Sequence, residues 1–332
     1  MEDDNIADGK AIVKNAGFLY LGELISHVFT LILVIVISSK LGDIGLGKYS
    51  FAFAFASLFL LLADFGLQTL VTKETARNKK LAAQHLKSTF TLKLLLNMTT
   101  FLITVAAIYF SKDDFEIVRL VIIAAIAMNF YYLGSIFRAV FQGFEQMKYD
   151  VIAKTAERAI AMILGVYLLI KGYGIYSLFI VLVASNVLYY ILLHFFVLRK
   201  IAPIGLQIDF SAWKEVIKKS FPFWLTLIFV NIYFRIDTIM LSYMKGFAQV
   251  GWYNAAYKII DVLARVPFLL IIAVFPALSR LHNVSRERMA MIYEKSLYYL
   301  VVVGMPIAVG LIMLSERIVL LVFGSQFANS AI

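Results

Sequence analysis

The sequence predicts an all-α, polytopic membrane protein with two helical bundles, and three observations carry this prediction. Hydrophobic residues make up 62% of the 332 residues and charged residues only 16%, whereas a soluble domain has roughly 45–50% and about 25%. The apolar residues form runs of about 20, the length that a helix needs to cross a bilayer. A short pattern also recurs in both halves of the chain. A soluble core of this size would not hide so much apolar surface, so lipid is the predicted solvent.

Nine apolar runs have the length of membrane spans. Their continuity favours helices over barrel strands, because lipid offers no partner to an open backbone. The first run has no small-residue cleavage site after it and is predicted to be a retained span rather than a signal peptide. The sequence also allows a tenth span from Arg317. The nine runs cover approximately residues 16–38, 48–71, 89–110, 117–141, 151–170, 174–198, 221–243, 253–276 and 296–314.

Basic residues in the connections predict the orientation. One side carries 21 lysines and arginines and the other seven, and the alternation does not break along the chain. The larger count includes the stretch KETARNKKLAAQHLK and Lys93 after it. Basic residues favour the cytoplasmic side, which predicts a multi-pass protein of the cell membrane with a cytoplasmic N-terminus. Because they are dispersed between spans, the net charge of +10 indicates a membrane rather than a nucleic acid.

The longest polar break, LQIDFSAWKEVIKKS, separates the sixth and seventh runs. Phe210, Trp213 and Ile217 recur at helical spacing opposite Lys214 and Lys218, which is typical of a helix lying in the cytoplasmic interface. The predicted division is a first six-helix bundle over 1–205, an interfacial linker helix over 206–220 and a second bundle over 221–332.

The stretches SSKLGDIGLGKYSFAF (38–53) and SYMKGFAQVGWYNAAY (242–257) match at a shift of 204 residues. Both join two spans by a short outer loop, and six intervening spans place both bundles in the same orientation. Such parallel repeats have transport sites at their interface. A full second copy would end near residue ~408, so the second bundle is expected to be truncated after three to four spans. Chance similarity and a genuinely asymmetric protein stay open. The identities pair Ser38 with Ser242, Gly42 with Gly246, Gly47 with Gly251, Tyr49 with Tyr253 and Ala52 with Ala256.

The chain resembles the oligosaccharide flippases of polysaccharide export, within the superfamily that includes multidrug/toxin extrusion transporters and lipid II flippases. Three blocks carry the resemblance: LGDIGLGKYSFAFAFASLFLLLADFGLQTLVTKETAR, FRAVFQGFEQMKYDVIAKTAERAIAMILGVYLLIKGYGIYSL and FRIDTIMLSYMKGFAQVGWYNAAYKIIDVLARVPFLLIIAVFPALSRL. Family members have twelve or more spans, from which this chain departs. The resemblance implies alternating-access movement of a polyprenyl-(di)phosphate-linked oligosaccharide from the cytoplasmic to the outer leaflet.

Charges inside the predicted spans are the candidate site residues of the second bundle, because a charge at bilayer depth must face protein or water. Two lie in the seventh span, and three share one face of the eighth. Arginine binds phosphate oxygens in a bidentate way, so the surplus cation favours a site for the lipid-linked diphosphate. Structural pairs between helices are the alternative reading. The five residues are Arg235, Asp237, Lys258, Asp261 and Arg265.

The first bundle supplies further candidates. Arg138, Lys154 and Arg158 near the cytoplasmic ends are interpreted either as topology anchors or as ligands of substrate phosphate. The family resemblance makes Asp64 a cavity or helix-packing residue. Glu23 and His27, at positions i and i+4, share a helix face and form either a hydrogen-bonded couple or a pair that links transport to H⁺ or Na⁺ entry.

Other function classes are disfavoured by what the sequence lacks. There are no cysteines and only four scattered histidines, so no metal centre or cofactor is predicted. No loop is long enough to fold a catalytic domain, so the chain is not expected to be an enzyme. The alternative is a cation-coupled multidrug exporter of the same fold, whose site should be net acidic. Expected partners are lipid-linked oligosaccharide, membrane lipids and glycosyltransferases or a polymerase of the same pathway.

Overall fold

The structure, a computed structural model, describes residues 2–112, 114–201, 204–263, 274, 278 and 285–331, with the side chains of residues 22–79 and of the described residues from 86 onward. Within these ranges all regular structure is helical, which confirms the predicted class. The helices are α1 (Glu2–Asp64), α2 (Leu67–Arg77), α3 (Lys79–Ser111), α4 (Phe115–Gly143), α5 (Lys148–Ile170), α6 (Gly174–Lys200), α7 (Phe210–Met244), α8 (Phe247–Leu263) and α9 (Arg286–Phe323), followed by a 3₁₀ helix (Ser325–Ala331).

Helix α1 contains the first two predicted spans and bends between them. The bend lies at Gly42, where φ is 69° and ψ is −169°, a conformation that is essentially restricted to glycine. We call the parts before and after it the first and second arms of α1. The expected continuation of the second span to residue 71 is wrong, because Phe65 and Gly66 have positive φ and end α1 at Asp64.

Helix α4 is the centre of the first six helices and packs against α1, α2, α3 and α6. Its N-terminal half joins the second arm of α1 in one apolar cluster, and its C-terminal half joins α3, α5 and α6 in another. Gly134 permits close approach of α6, because a Cβ there would lie 2.9 Å from Tyr189 Cε1. Small residues of this kind let membrane helices pack at short distance.

The predicted linker helix over 206–220 is not a separate element in the structure. Asp209 caps α7 by accepting a hydrogen bond from the Ala212 amide at 2.9 Å, and α7 continues through Pro222 to Met244. Trp213 is buried, contacts Leu67 and Leu92 and donates to the Ser88 carbonyl at 3.0 Å. These contacts hold the amphipathic stretch as the first turns of the span.

The chain divides into two compact units, Met1–Val250 and Gly251–Ile332. In the second unit, α9 is followed by the 3₁₀ helix, whose Phe327 is buried beside Phe323. Trp252 Nε1 donates to the Gln326 carbonyl at 3.1 Å. The suggested tenth span from Arg317 is wrong, because residues 317–323 complete α9.

Six stretches of the described chain are long and apolar enough to cross a membrane: 22–64, 86–111, 115–143, 174–200, 210–244 and 286–323. The first of these holds both arms of α1. Helix α5 has the length of a span, but its first three turns carry five charged side chains. The eighth predicted span lies partly outside the described residues, which end α8 at Leu263.

Candidate functional site

Helix α5 presents a charged face to the first bundle. Asp150, Glu157 and Arg158 each lie three or four residues from Lys154 and therefore share one side of the helix with it. Asp150 and Glu157 are buried, together with small alanines on the same face. These four groups, with Glu23 of α1 and Arg138 of α4, form what we call the charge cluster.

Arg138 and Asp150 join α4 to α5 within the cluster. The Arg138 Nε atom lies 3.3 Å from Asp150 Oδ2, and Tyr189 of α6 donates a hydrogen bond to Asp150 Oδ1 at 3.2 Å. Arg138 Nη1 also donates to the Tyr131 hydroxyl at 3.4 Å, and the Tyr131 ring stacks on Tyr189 at 5.2 Å. A buried ion pair is favourable only when its remaining polar atoms are hydrogen-bonded. The two tyrosines supply one such bond to each partner, while Arg138 Nε is buried and faces Asp150 without a hydrogen bond.

Glu23 links α1 to α5. Its carboxylate pairs with Lys154 and lies 3.6 Å from His27 Nε2. Arg158 pairs with the adjacent Glu157 at 3.1 Å. With three cations and three carboxylates the charge cluster is balanced, while the Arg158 side chain stays 32% exposed. The structure thus brings the predicted residues Glu23, His27, Arg138, Lys154 and Arg158 together in one region of the first unit.

Asp64 is buried at the end of α1 and pairs with Lys93 of α3, with 2.5 Å between Oδ1 and Nζ. Lys93 is fully buried and lies 5.7 Å from the centre of the Tyr132 ring. The interpretation of Lys93 as a basic residue of a cytoplasmic connection is wrong, because Lys93 lies inside α3. Lys93 lies four residues after the start of a predicted span, and this position indicated that its ammonium group would pair with a carboxylate inside the protein.

Arg235 lies in the middle of α7 with an exposed side chain. Within the described part of the chain, no carboxylate lies within ion-pair distance of its guanidinium. The guanidinium interacts electrostatically with the hydroxyls of Tyr49 on α1 and Tyr132 on α4. Its neighbour in sequence, Asp237, uses Oδ1 to accept a hydrogen bond from the Thr238 amide at 2.6 Å.

Two candidates of the second unit lie together on α8. Lys258 Nζ is 3.8 Å from Asp261 Oδ2, a pair at positions i and i+3. Arg265 lies outside the described residues.

Sequence reasoning missed several groups that complete these contacts: Asp150, Glu157, Lys93, Tyr131, Tyr132 and Tyr189. Asp150 and Glu157 were detectable, because each is four or three residues from Lys154 on α5. The tyrosines were not, since one sequence gives no sign of which aromatic ring meets a charge on another helix.

A cavity of about 120 Å³ lies elsewhere in the first unit, between α2, α3 and the first turns of α7. Its wall is mainly apolar, with Leu70, Val71, Leu86 and Val216, and none of the charged candidates lines it. It is a gap between packed helices and not part of the candidate site.

Known proteins share the sequence pattern of this chain. The family described as polysaccharide biosynthesis protein matches residues 12–282. A protein of Shigella dysenteriae with the name "Putative O-antigen transporter" is 25% identical over 280 residues, which cover 82% of this chain and 68% of that protein.

Solved structures share the fold at low sequence identity. The lipid II flippase MurJ in an inward closed conformation is 16% identical with a TM-score of 0.74, covering 94% of this chain and 70% of that one. A MOP superfamily transporter from Pyrococcus furiosus is 16% identical with a TM-score of 0.64, covering 97% and 75%. A MATE transporter in complex with MaD3S is 15% identical with a TM-score of 0.64, covering 97% and 77%. These likenesses establish the helical transporter fold.

Proposed function

Because this chain belongs to the polysaccharide biosynthesis protein family, we propose that it moves a polyprenyl-(di)phosphate-linked oligosaccharide from the cytoplasmic to the outer leaflet. The family and the fold identify a multi-pass membrane transporter, not an enzyme. Transport proceeds by alternating access: the charged headgroup occupies a polar space inside the protein while the polyprenyl tail remains in lipid. The name of the Shigella dysenteriae relative supports a glycan as the cargo.

The observation that carries the proposal is the charge of Arg235, which no carboxylate among the described residues compensates. The six groups of the charge cluster neutralise one another, as do Asp64 and Lys93. Arg235 has no such partner within the described chain. A charge held at this depth is costly unless it is paired or hydrated, and such residues commonly mark transport sites. A phosphate would neutralise the guanidinium with bidentate hydrogen bonds.

The surroundings of Arg235 suit a glycosyl diphosphate. Tyr49 and Tyr132 provide hydroxyl groups that donate and accept hydrogen bonds within electrostatic reach of the guanidinium. Arg158 lies in the same neighbourhood, since it also interacts with Tyr49, and its partial exposure lets it leave Glu157 for an anionic ligand. In this arrangement Arg235 holds phosphate, and the tyrosines and Arg158 face the first sugars.

The test is complementation of a glycan-export defect by variants of Arg235. Arg235→Ala should lose the phosphate contact, about 1.5–3 kcal/mol for a bond to a charged group, and lower export roughly 10- to 100-fold. Arg235→Lys keeps the charge without the bidentate geometry and should retain part of the activity. The matched control is Lys245→Ala at the exposed C-terminal end of the same helix, which should export normally. Full export by membrane-inserted Arg235→Ala would refute the assignment. Arg265→Ala is expected to behave like Arg235→Ala.

A cation-coupled multidrug exporter is the second candidate, because a MATE transporter shares the fold. Such a site would attract organic cations with surplus carboxylates, whereas the charge cluster is balanced and Arg235 adds a positive charge. Cells that produce the protein should therefore gain no resistance to organic cations. Resistance that disappears in a Glu157→Gln variant would favour the exporter.

Coupling to H⁺ or Na⁺ is proposed at Glu23. Its carboxylate has two different partners, Lys154 and His27, so gain of a proton or a sodium ion would free Lys154. Glu23→Gln should make export insensitive to dissipation of the ion gradient, while His27→Asn should not. Export by the unaltered protein that continues without either gradient would contradict the coupling.

The proposed setting is the cytoplasmic membrane with the N-terminus inside the cell. The excess of basic residues on one side supports this orientation. Glycosyltransferases or a polymerase of the same glycan pathway are the proposed partners, since they would supply the cargo and consume it.

A further inference from the structure

Lys112 follows α3 directly and is enclosed by three aromatic rings. Its ammonium group lies 3.7 Å from the ring centre of Tyr243 and 5.4 Å from those of Phe51 and Phe247. The rings also contact one another, with Phe51 and Phe247 5.6 Å apart. A cation over aromatic faces is attracted by their negative potential, so Lys112 joins the second arm of α1 to the end of α7 and the start of α8.

The same ammonium group lies at the C-terminal end of α7. Lys112 Nζ is 3.5 Å from the Ser242 carbonyl oxygen, one of the last carbonyls of the helix. The last turn of α7 contains no basic side chain, and α7 stops before Gly246, whose φ is 98°. Cations stabilise the C-terminal end of a helix dipole, so Lys112 adds a positive charge from another element to that of Lys245, which follows α7 directly.

We propose that Lys112 and the rings of Phe51, Tyr243 and Phe247 form a latch that holds the outer side closed. The proposal rests on the proposed alternating-access transport, in which the outer ends of α1 and α7 must separate to release cargo. All four residues lie near the outer ends assigned by the basic-residue distribution. Opening moves the C-terminal end of α7 away from Lys112, and the ammonium group then returns to water.

The latch is suited to opening as well as closing. Lys112 is half-buried, and burial lowers the pKa of its ammonium group below the ordinary value while Asp114 raises it. The enclosed cation has thus given up hydration for ring contacts and regains it on release. A neighbouring ion pair differs from the latch. Lys48 pairs with Glu116 and links the second arm of α1 to α4. Because both helices belong to the same bundle, this pair is expected to stay intact when the outer side opens.

The test uses the absence of cysteine from the chain. A single cysteine replaces Thr238, which lies one turn before Ser242 and is 3% exposed. A membrane-impermeant maleimide is applied to whole cells that produce the full chain. Lys112→Gln should increase the labelling rate of Thr238→Cys several-fold, because the outer side opens more often. Lys112→Arg keeps the cation and should label like the unaltered background.

Three controls make the result specific. Lys48→Gln, which removes the outer ion pair within the first bundle, should leave the labelling of Thr238→Cys unchanged. Tyr173→Cys, exposed in the turn between α5 and α6, should label equally in all backgrounds and verifies the outer side. Ser185→Cys, fully buried in α6, should stay unlabelled, since labelling there would indicate unfolding.

Equal labelling of Thr238→Cys with and without the Lys112→Gln substitution would overturn the latch. That failure is distinct from failure of the proposed function. If Lys112→Gln leaves labelling unchanged while Arg235→Ala lowers export as predicted, the latch is wrong and the transport site stands. If Lys112→Gln increases labelling while Arg235→Ala exports normally, the latch stands and the site assignment is wrong.

Discussion

At the scale of single residues, the Asp64–Lys93 pair shows how this chain tolerates charge away from water. Both side chains are buried and their charged atoms lie 2.5 Å apart, with the Tyr132 ring beside the ammonium group. Removal of one partner leaves an uncompensated buried charge, whereas removal of both leaves none. The pair therefore has a large mutual dependence without being essential for folding.

Lys93→Met should lower the free energy of unfolding by about 3–5 kcal/mol, because Asp64 is left charged and unpaired. The double variant Asp64→Leu with Lys93→Met should recover most of that loss. Thermal unfolding of the purified protein in detergent, arranged as a double-mutant cycle, measures the coupling.

The exposed pair Glu215–Lys219, 2.7 Å apart, provides the comparison. Lys219→Met should cost less than about 1 kcal/mol, as surface pairs do. The free energy of unfolding lost by the double variant could equal the sum of the losses measured for the Asp64→Leu and Lys93→Met single variants. That result would show that the two residues do not act as a pair. Loss of transport in a stable double variant would give the pair a functional role in addition.

The contacts around each single residue were the part of the site that the sequence predicted least well. Arg235 was identified from the sequence because a charge within an apolar run is conspicuous, and Arg158 because it is a basic residue near the cytoplasmic end of a span. Their surroundings were not, since Tyr49 and Tyr132 lie on other helices, far from Arg235 in the chain. Lys93 was misassigned because a lysine at the start of an apolar run looks the same whether it points to water or to a buried carboxylate.

At the scale of elements, the two hairpins of the repeat share local structure as well as letters. Ser38 Oγ donates to the Ile35 carbonyl at 2.7 Å, and Ser242 Oγ donates to the Ile239 carbonyl at 2.7 Å. Gly42 and Gly246, each four residues further on, both have positive φ. The same serine bond followed by a positive-φ glycine ends the first arm of α1 in one hairpin and α7 in the other.

Gly42→Ala and Gly246→Ala should each destabilise the protein, because a Cβ in a left-handed conformation costs about 1–2 kcal/mol. Gly310→Ala is the matched control. It lies inside α9, where an added Cβ meets nothing within 4 Å, and alanine is favoured over glycine in a helix by up to about 1 kcal/mol. Thermal unfolding should therefore show lower midpoints for the first two variants and no decrease for Gly310→Ala. Equal behaviour of all three would contradict the role given to the two turns.

Element boundaries follow the sequence where apolar periodicity and capping agree, and depart from it where packing intervenes. The apolar run predicts a span that starts at Phe221, yet α7 begins at Phe210, because Trp213 is held against Leu67 and Leu92. Apolarity alone also predicts a continuous helix to residue 71, yet Gly66 turns the chain there. A Cβ at Gly66 would lie 2.6 Å from the Ser220 carbonyl oxygen, so the close approach of α7 explains the break.

At the scale of the whole molecule, composition was sufficient for the fold class. An apolar fraction of 62% requires lipid as solvent, and lipid permits helices of about 20 residues. Composition did not indicate that α4 would be the central helix, because every span is apolar on most faces. That role comes from the small residues of α4, such as Ala124 and Gly134, whose partners are set by tertiary packing.

In the described chain, the charges that stabilise the fold differ from the charge that is proposed to bind cargo. Balanced pairs such as Asp64–Lys93 and Arg138–Asp150 tie the helices together. Arg235 stands apart from them as a cation without a carboxylate partner in the described residues. This separation leads to the central claim, that an anionic headgroup crosses the membrane in contact with Arg235.

The most direct test is reconstitution of the full chain into liposomes that contain a polyprenyl-diphosphate-linked oligosaccharide in one leaflet. An enzyme added outside that trims only accessible sugars then measures how much cargo changes leaflet. The unaltered protein and Lys245→Ala should move the cargo, and Arg235→Ala should move it roughly 10- to 100-fold more slowly, as expected for the loss of a hydrogen bond to a charged group. Equal transfer by Arg235→Ala and the unaltered protein would contradict the central claim.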